Sequence, residues 1–251
     1  NGTLLAFRMG HPNRPGPRLP PHVPLRLAIL LACILSLPTL SPAGPPLSTG
    51  DVPTAVNGIL EIYAGQHEQT AQDGTIARET ETEFAYGVND QLECSMDIAY
   101  LRQQQGNGWG DPTVGMKWMF LPESAAKPGL AFSLKCELPT ASADKGLGRG
   151  APVWAGRFRA QKTWGRFTGM ANLGYSLVNE PVIRGTKAAR VNPWFTAFAA
   201  EIKLAPKTAL LAEIFWQTRE KPGASNRIAC NIGFKQKITS NLRLHGAIGK
   251  S

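Results

Sequence analysis

Apolar and polar side chains alternate along most of the chain from Gly58 onward, in stretches of about ten residues. The clearest stretch covers residues 92–100, with the sequence LECSMDIAY. A period of two puts successive side chains on opposite faces of a β-strand. Many such stretches behind an export signal are typical of an outer-membrane β-barrel.

Eleven strands are predicted from this alternation, and most have the 9–11 residues or so that a tilted membrane strand needs. They are Gly58–Gly65, Arg78–Val88, Gln91–Arg102, Thr113–Leu121, Gly129–Leu138, Val153–Trp164, Phe167–Val178, Pro193–Leu204, Thr208–Thr218, Arg227–Lys237 and Leu242–Ile248.

The links between these strands alternate between short and long, which matches the short periplasmic turns and longer extracellular loops of such barrels. The short ones are 89–90, 122–128, 165–166, 205–207 and 240–241, and the long ones are 66–77, 103–112, 139–152, 179–192 and 219–226. Single-chain bacterial barrels have an even number of strands. We therefore expect an all-β fold, a transmembrane antiparallel up-and-down β-barrel of about 12 strands, with the last strand truncated after Ile248. A soluble two-sheet sandwich is the alternative.

The first 43 residues resemble a leader, with a basic region, an apolar run from Leu27 to Leu37, and a small-residue cleavage site at residues 41–43. Cys33 ends a segment that resembles a lipoprotein cleavage box, and a cysteine within the apolar run is the simpler interpretation. The predicted division is a leader over 1–43, a periplasmic segment over 44–57 and the barrel over 58–251. Met9 is a candidate initiator, and the chain is expected to be a fragment.

Charge argues against a nucleic-acid partner. The full chain has a formal net charge of +9, and all four basic residues of the leader lie in a region without Asp or Glu, which leaves +5 for residues 44–251. No run of Lys and Arg is interleaved with aromatic residues. No later segment approaches the 18 or so apolar residues of a membrane-spanning helix.

The polar face of the strands supplies the candidate functional residues. In a barrel wider than eight strands, inward apolar side chains would leave empty space, so the polar face is expected to line the lumen. The lumen candidates are Glu81, Glu83, Glu93, Asp97, Lys117, Lys135, Arg157, Arg159, Arg227, Lys235 and Arg243, with Glu61, Glu79 and Lys203 beside them. They predict an acidic sector on the first three strands between basic sectors, which either selects solutes or forms ion pairs that stiffen the wall.

Aromatic side chains on the apolar face, including Trp118, Trp164, Trp194 and Trp216, fall mostly near strand ends. This placement is expected for the aromatic girdles at the two membrane interfaces. A stacking platform for an aromatic substrate is the alternative.

The sequence offers no convincing catalytic or metal site. His67 and His245 are the only histidines after the leader, and neither belongs to a motif with an activated serine. No His, Cys and carboxylate group has the spacing of metal ligands. Cys94 and Cys136 are predicted two strands apart, at about 10 Å, which is too far for a disulfide. We expect no cofactor and no enzymatic activity.

Five segments resemble a family of Gram-negative outer-membrane proteins that is named for the MetA pathway of phenol degradation and labelled as transporters. They are residues 46–53 (PLSTGDVP), 87–93 (GVNDQLE), 108–118 (GWGDPTVGMKW), 138–140 (LPT) and 146–150 (GLGRG). Gly50 stands where the family has Asp, and Ala141 where it has Gly. The resemblance covers about Pro46 to Gly249 and implies an outer-membrane barrel, without a defined catalytic set.

The function expected from the sequence is passive passage of small solutes, including hydrophobic or aromatic compounds, across a bacterial outer membrane. Its partners would be outer-membrane lipid and the solutes themselves. Two alternatives stay open: a non-conducting surface barrel whose lumen is filled by ion pairs, and a membrane-embedded, lipid-modifying enzyme that uses His245.

Overall fold

A computed structural model shows the chain as a closed β-barrel in which each strand of the wall is antiparallel to both of its neighbours. It describes residues 2–9, 47–70, 74–179, 182–183, 186–187, 191–220 and 222–251. The strands are β1 (Gly2–Met9), β2 (Leu60–Thr70), β3 (Ile76–Asn89), β4 (Leu92–Gln103), β5 (Gly106–Trp109), β6 (Thr113–Leu121), β7 (Gly129–Glu137), β8 (Val153–Trp164), β9 (Phe167–Val178), β10 (Val182–Ile183), β11 (Thr186–Lys187), β12 (Trp194–Ala205), β13 (Thr208–Gln217), β14 (Arg227–Lys237) and β15 (Leu242–Lys250).

Twelve of these strands form the barrel wall, as the sequence predicts. The other three are short: β5 pairs only with β4, and β10 and β11 pair only with each other. All eleven predicted strands are present. Each strand follows its predecessor around the wall, so the fold is the up-and-down transmembrane barrel inferred from the alternation of side chains.

The twelfth strand differs in origin from the prediction. Strand β1 lies between β15 and β2 and pairs with both, so it occupies the place expected for a strand beyond Ser251. Residues 2–9 belong to the segment that is predicted as the leader. A molecule cleaved after residue 43 would lack this strand. The barrel closed by β1 is therefore the form of the chain that still carries its first residues. The rest of the leader, including Cys33, lies outside the described residues.

Two strand boundaries also differ from the prediction. Strands β2 and β3 pair up to Thr70 and Ile76, so most of the loop predicted over residues 66–77 is strand. The side chains of residues 66–70 are polar on both faces, so this part of β2 shows no apolar alternation, but its backbone still pairs with β3. The link predicted over 103–112 contains β5, which forms a hairpin with β4.

The outer face of the wall is apolar. Large side chains such as Phe158, Phe198 and Ile232 are 57%, 58% and 65% exposed at alternate positions of their strands. Trp118 and Trp164 lie near the short turns, whereas Trp154, Trp194 and Trp216 lie near the long loops. This is the pattern of a lipid-facing belt with an aromatic girdle at each interface. No helix in the described ranges is long and apolar enough to span a membrane.

We expect Ile232→Arg, a charge at the middle of β14 on the outer face, to destabilise the barrel in a bilayer by about 2–4 kcal/mol. The reason is the burial of a cation in hydrocarbon. Urea unfolding of the protein in vesicles measures the loss, with Ile232→Leu as the matched control. An unfolding free energy equal to that of the control would contradict the assignment of this face to lipid.

Candidate functional site

The structure places all eleven lumen candidates on the inward face of the wall. Their strand positions share the parity of side chains that contact each other on the inner face, such as Glu93 and Lys117, which are direct partners in the β4–β6 pair and lie 3.2 Å apart. The set is spread over seven strands, and only part of it converges on one place. That place is occupied by residues 47–57, which we call the plug.

The plug lies inside the lumen. Its polar atoms contact inward side chains of β4, β8, β9 and β13, which are distributed around the wall. Thr49 and Val52 are 0% and 2% exposed. Residues 44–57 are predicted to form a periplasmic segment, whereas residues 47–57 lie inside the lumen in the structure. The plug is held there because its backbone N–H and C=O groups form hydrogen bonds with charged side chains of the wall.

Glu213 holds the first residues of the plug. Its carboxylate accepts hydrogen bonds from the backbone N–H groups of Ser48 (3.0 Å) and Thr49 (2.8 Å), and from the Thr49 hydroxyl (2.6 Å). The amide of Asn231 also donates to it. Glu213 is 5% exposed, and hydrogen bonds to a desolvated carboxylate are among the stronger ones in proteins. This carboxylate is the main polar anchor of the plug.

Asn172 adds a two-way contact on the neighbouring wall. Its Oδ1 accepts from the Gly50 backbone N–H at 2.8 Å, and its Nδ2 donates to the Gly50 carbonyl at 2.9 Å. The pattern is that of a β-bridge made by a side chain amide. These two hydrogen bonds fix the position of Gly50 along the barrel axis.

Cations on β6 and β8 hold the middle of the plug. Arg157 Nη1 donates to the Ser48 carbonyl at 2.9 Å, and Arg159 Nη1 donates to the Asp51 carbonyl at 3.2 Å. Lys117 lies 3.9 Å from the Asp51 carboxylate and 3.2 Å from that of Glu93. Glu93 in turn accepts from the backbone N–H of Ala55 at 2.6 Å. The plug therefore completes an ion-pair network of the wall.

Two glycines make room for the plug. A Cβ on Gly50 would overlap the guanidinium group of Arg159. A Cβ on Gly87 would lie 2.2 Å from the carbonyl oxygen of Val56, where the plug leaves the lumen and joins β2. Both glycines belong to the segments that resemble the family, and Gly50 is the position that departs from the family's Asp.

A second ion-pair cluster lies on the acidic sector of the wall. Lys135 Nζ lies 2.7 Å from Asp97 and 3.5 Å from Glu83. The Tyr63 hydroxyl donates to Glu61 on the same strand, and His67 lies 3.4 Å from Glu81. Lys135 thus joins β7 to the acidic side chains of β3 and β4.

The prediction of purely basic sectors elsewhere was incomplete. Glu201 and Glu213 face inward from β12 and β13, and Glu201 pairs with Lys235 at 2.9 Å. Phe195 and Phe215 also face inward, with ring centroids 5.7 Å apart, and Arg157 stacks over Phe195 at 4.1 Å. The period-two parity of β12 and β13 is enough to predict that these four residues face inward.

The plug separates two cavities along the barrel axis. The outer cavity has a volume of about 1210 Å³ and reaches the plug at Leu47 and Ser48. The inner cavity has a volume of about 380 Å³ and reaches it at Asp51 and Pro53. The plug therefore lies on the axial path between the two cavities.

The long loop over residues 138–152 folds onto the wall through Asp111. The Asp111 carboxylate accepts from the backbone N–H groups of Ala141 and Arg149, both at 2.7 Å. Two of the segments that resemble the family, 108–118 and 146–150, are therefore in direct contact. Arg149 also lies 3.3 Å from Glu137 and 4.0 Å from Glu220 and so ties the loop to the outer rim.

The other sequence candidates have separate places. Within the described residues, no group of three or more His, Cys, Asp and Glu side chains could hold a metal ion. His245 is fully buried on the inward face of β15, opposite Lys235. Cys94, Cys136 and Cys230 are free, which confirms that Cys94 and Cys136 form no disulfide; Cys136 is buried and lies opposite Trp154.

Comparisons with known proteins agree with this fold. An outer membrane channel of known structure, the COG4313 channel from Pseudomonas putida F1, superposes with a TM-score of 0.54 at 8% sequence identity, over 99% of this chain and 94% of that one. A search of curated proteins found no match. The family model described as "Putative MetA-pathway of phenol degradation" matches residues 55–250. Since this match covers most of the chain, the protein belongs to that family.

Proposed function

We propose that the protein is an outer-membrane barrel through which small solutes pass passively, and that the plug controls their passage. The observation that supports this proposal is that the plug lies between two cavities of one lumen. The plug is attached to the wall by hydrogen bonds and ion pairs that water or a solute can replace. Among the described residues, no disulfide links it to the wall. The similar structure is described as an outer membrane channel.

The surroundings that we propose are a Gram-negative outer membrane, with lipid against the apolar outer face. Residues 1–43 would act as a secretory leader. Hydrophobic or aromatic compounds are the solute class that the family description suggests. We propose transport and not catalysis because the similar structure is described as an outer membrane channel.

A non-conducting surface barrel is the second candidate. It is favoured by the number of groups that hold the plug, since Glu213, Asn172, Arg157, Arg159 and Glu93 all bind its backbone. In this case the plug would be a permanent part of the wall, and the lumen would be filled for stability.

Osmotic swelling of proteoliposomes distinguishes the two. We expect the full chain to admit small solutes such as glycine and arabinose slowly and to exclude raffinose, because the plug opens only transiently. Liposomes without protein are the control for leakage. If folded protein admits none of these solutes, and a variant with a released plug admits none either, the barrel does not conduct.

A further inference from the structure

We propose that the inner cavity is a binding site for a polyvalent anion of the phosphate class. Its walls carry five cations, Lys203, Lys207, Lys235, Lys237 and Arg243, against two carboxylates, Asp51 and Glu201. Both carboxylates already have cationic partners, since Glu201 pairs with Lys235 and Asp51 lies near Lys117. The site itself stands on its own geometry, whereas its part in transport rests on the proposed function.

Four of these cations lack a carboxylate partner. Within the described part of the chain, no Asp or Glu oxygen lies within 4.0 Å of the charged groups of Lys203, Lys207, Lys237 or Arg243. Two of them, Lys237 and Arg243, are directly opposite each other in the β14–β15 pair and share the inward face. Like charges in opposite positions of a strand pair destabilise the sheet. An anion between them removes this repulsion.

The chemistry of the side chains specifies the ligand class. Three lysines supply compact charges and Arg243 supplies a planar fork of N–H donors, a combination that suits the several oxygens of a phosphate or polyphosphate. A monovalent anion would neutralise only part of the excess charge. The shared chemistry also fits a lipid headgroup, although the cavity lies inside the wall and touches the plug at Pro53.

Binding of pyrophosphate to the full chain in maltoside detergent tests the site by isothermal titration calorimetry. We expect one pyrophosphate per barrel and at least tenfold weaker binding for the double variant Lys237→Gln, Arg243→Gln. The matched control is Lys127→Gln, Lys145→Gln, which removes two exposed cations elsewhere. Equal binding by both variants, or an equal loss in both, would overturn the proposal. Tighter binding of dihexanoyl phosphatidylglycerol than of pyrophosphate would assign the site to lipid and also overturn it.

A second measurement needs no variant and covers the case in which the double variant does not fold. Pyrophosphate should slow acetylation of Lys203, Lys207 and Lys237 in the unaltered protein severalfold and leave Lys127 and Lys145 unchanged, as read by mass spectrometry. Uniform rates at all five lysines would refute the site. Neither measurement depends on conduction, so a barrel that binds pyrophosphate but admits no solute would contradict the proposed function alone.

Discussion

Replacement of Glu213 by Gln is expected to raise the open probability of the barrel in planar bilayers by about two orders of magnitude. The carboxylate accepts three hydrogen bonds from the plug. The side-chain amide of Gln would instead place its NH₂ group, a donor, against the N–H and O–H donors of Ser48 and Thr49. Hydrogen bonds to charged groups contribute about 1.5–3 kcal/mol each and are not additive. A net loss of about 3 kcal/mol corresponds to roughly a hundredfold shift between plugged and open forms.

The matched control is Glu220→Gln, which removes a carboxylate from the outer cavity without touching the plug. Its conductance should equal that of the unaltered protein. Heat-modifiable migration in gels verifies that each variant is folded. A Glu213→Gln barrel that is folded and conducts no more than the control would show that Glu213 does not hold the plug closed.

Replacement of Lys117 by Met is expected to lower the free energy of unfolding by about 3 kcal/mol. The lysine side chain and its partners Glu93 and Asp51 are each only 10% exposed, so its removal leaves two carboxylates desolvated and without their cation. The loss should exceed that of most surface substitutions, which stay within about 0.5 kcal/mol. Urea unfolding in vesicles, followed by tryptophan fluorescence, measures it.

Two further variants sharpen this test. Lys127→Met changes an exposed lysine in the turn before β7 and should leave stability unchanged. The double variant Lys117→Met, Glu93→Met should recover part of the loss, because an ion pair replaced by apolar groups is often neutral, whereas a broken one is costly. A single variant as stable as the Lys127→Met control would show that the Lys117 network does not stabilise the barrel.

The alternation of side chains predicts much of the fold. A strand with one face against lipid and the other toward a polar lumen cannot shift by one residue without turning its apolar set inward. This constraint explains why strands such as β8 and β12 are predicted with the right faces and nearly the right ends. Where both faces are polar, as at the outer end of β2, the constraint is absent and the predicted loop was too long.

The candidate site was only partly predictable. Inward positions of Lys117, Arg157 and Arg159 follow from strand parity, and so would that of Glu213. What each of them binds does not, because the partners are far apart in the sequence: Thr49 and Glu213 are separated by 164 positions. Residues 47–57 have no periodic pattern that a wall strand would show, so nothing in the sequence placed them inside the lumen.

By itself the sequence determined a twelve-stranded antiparallel wall, its apolar outer belt and its charged lumen, because period-two patterning and loop length are local properties of the chain. Only the tertiary structure decided which strand closes the barrel, where the plug lies and which charges it meets. These depend on closure of the wall, which brings distant strands around one axis and lets the backbone of residues 47–57 satisfy charged groups from several of them.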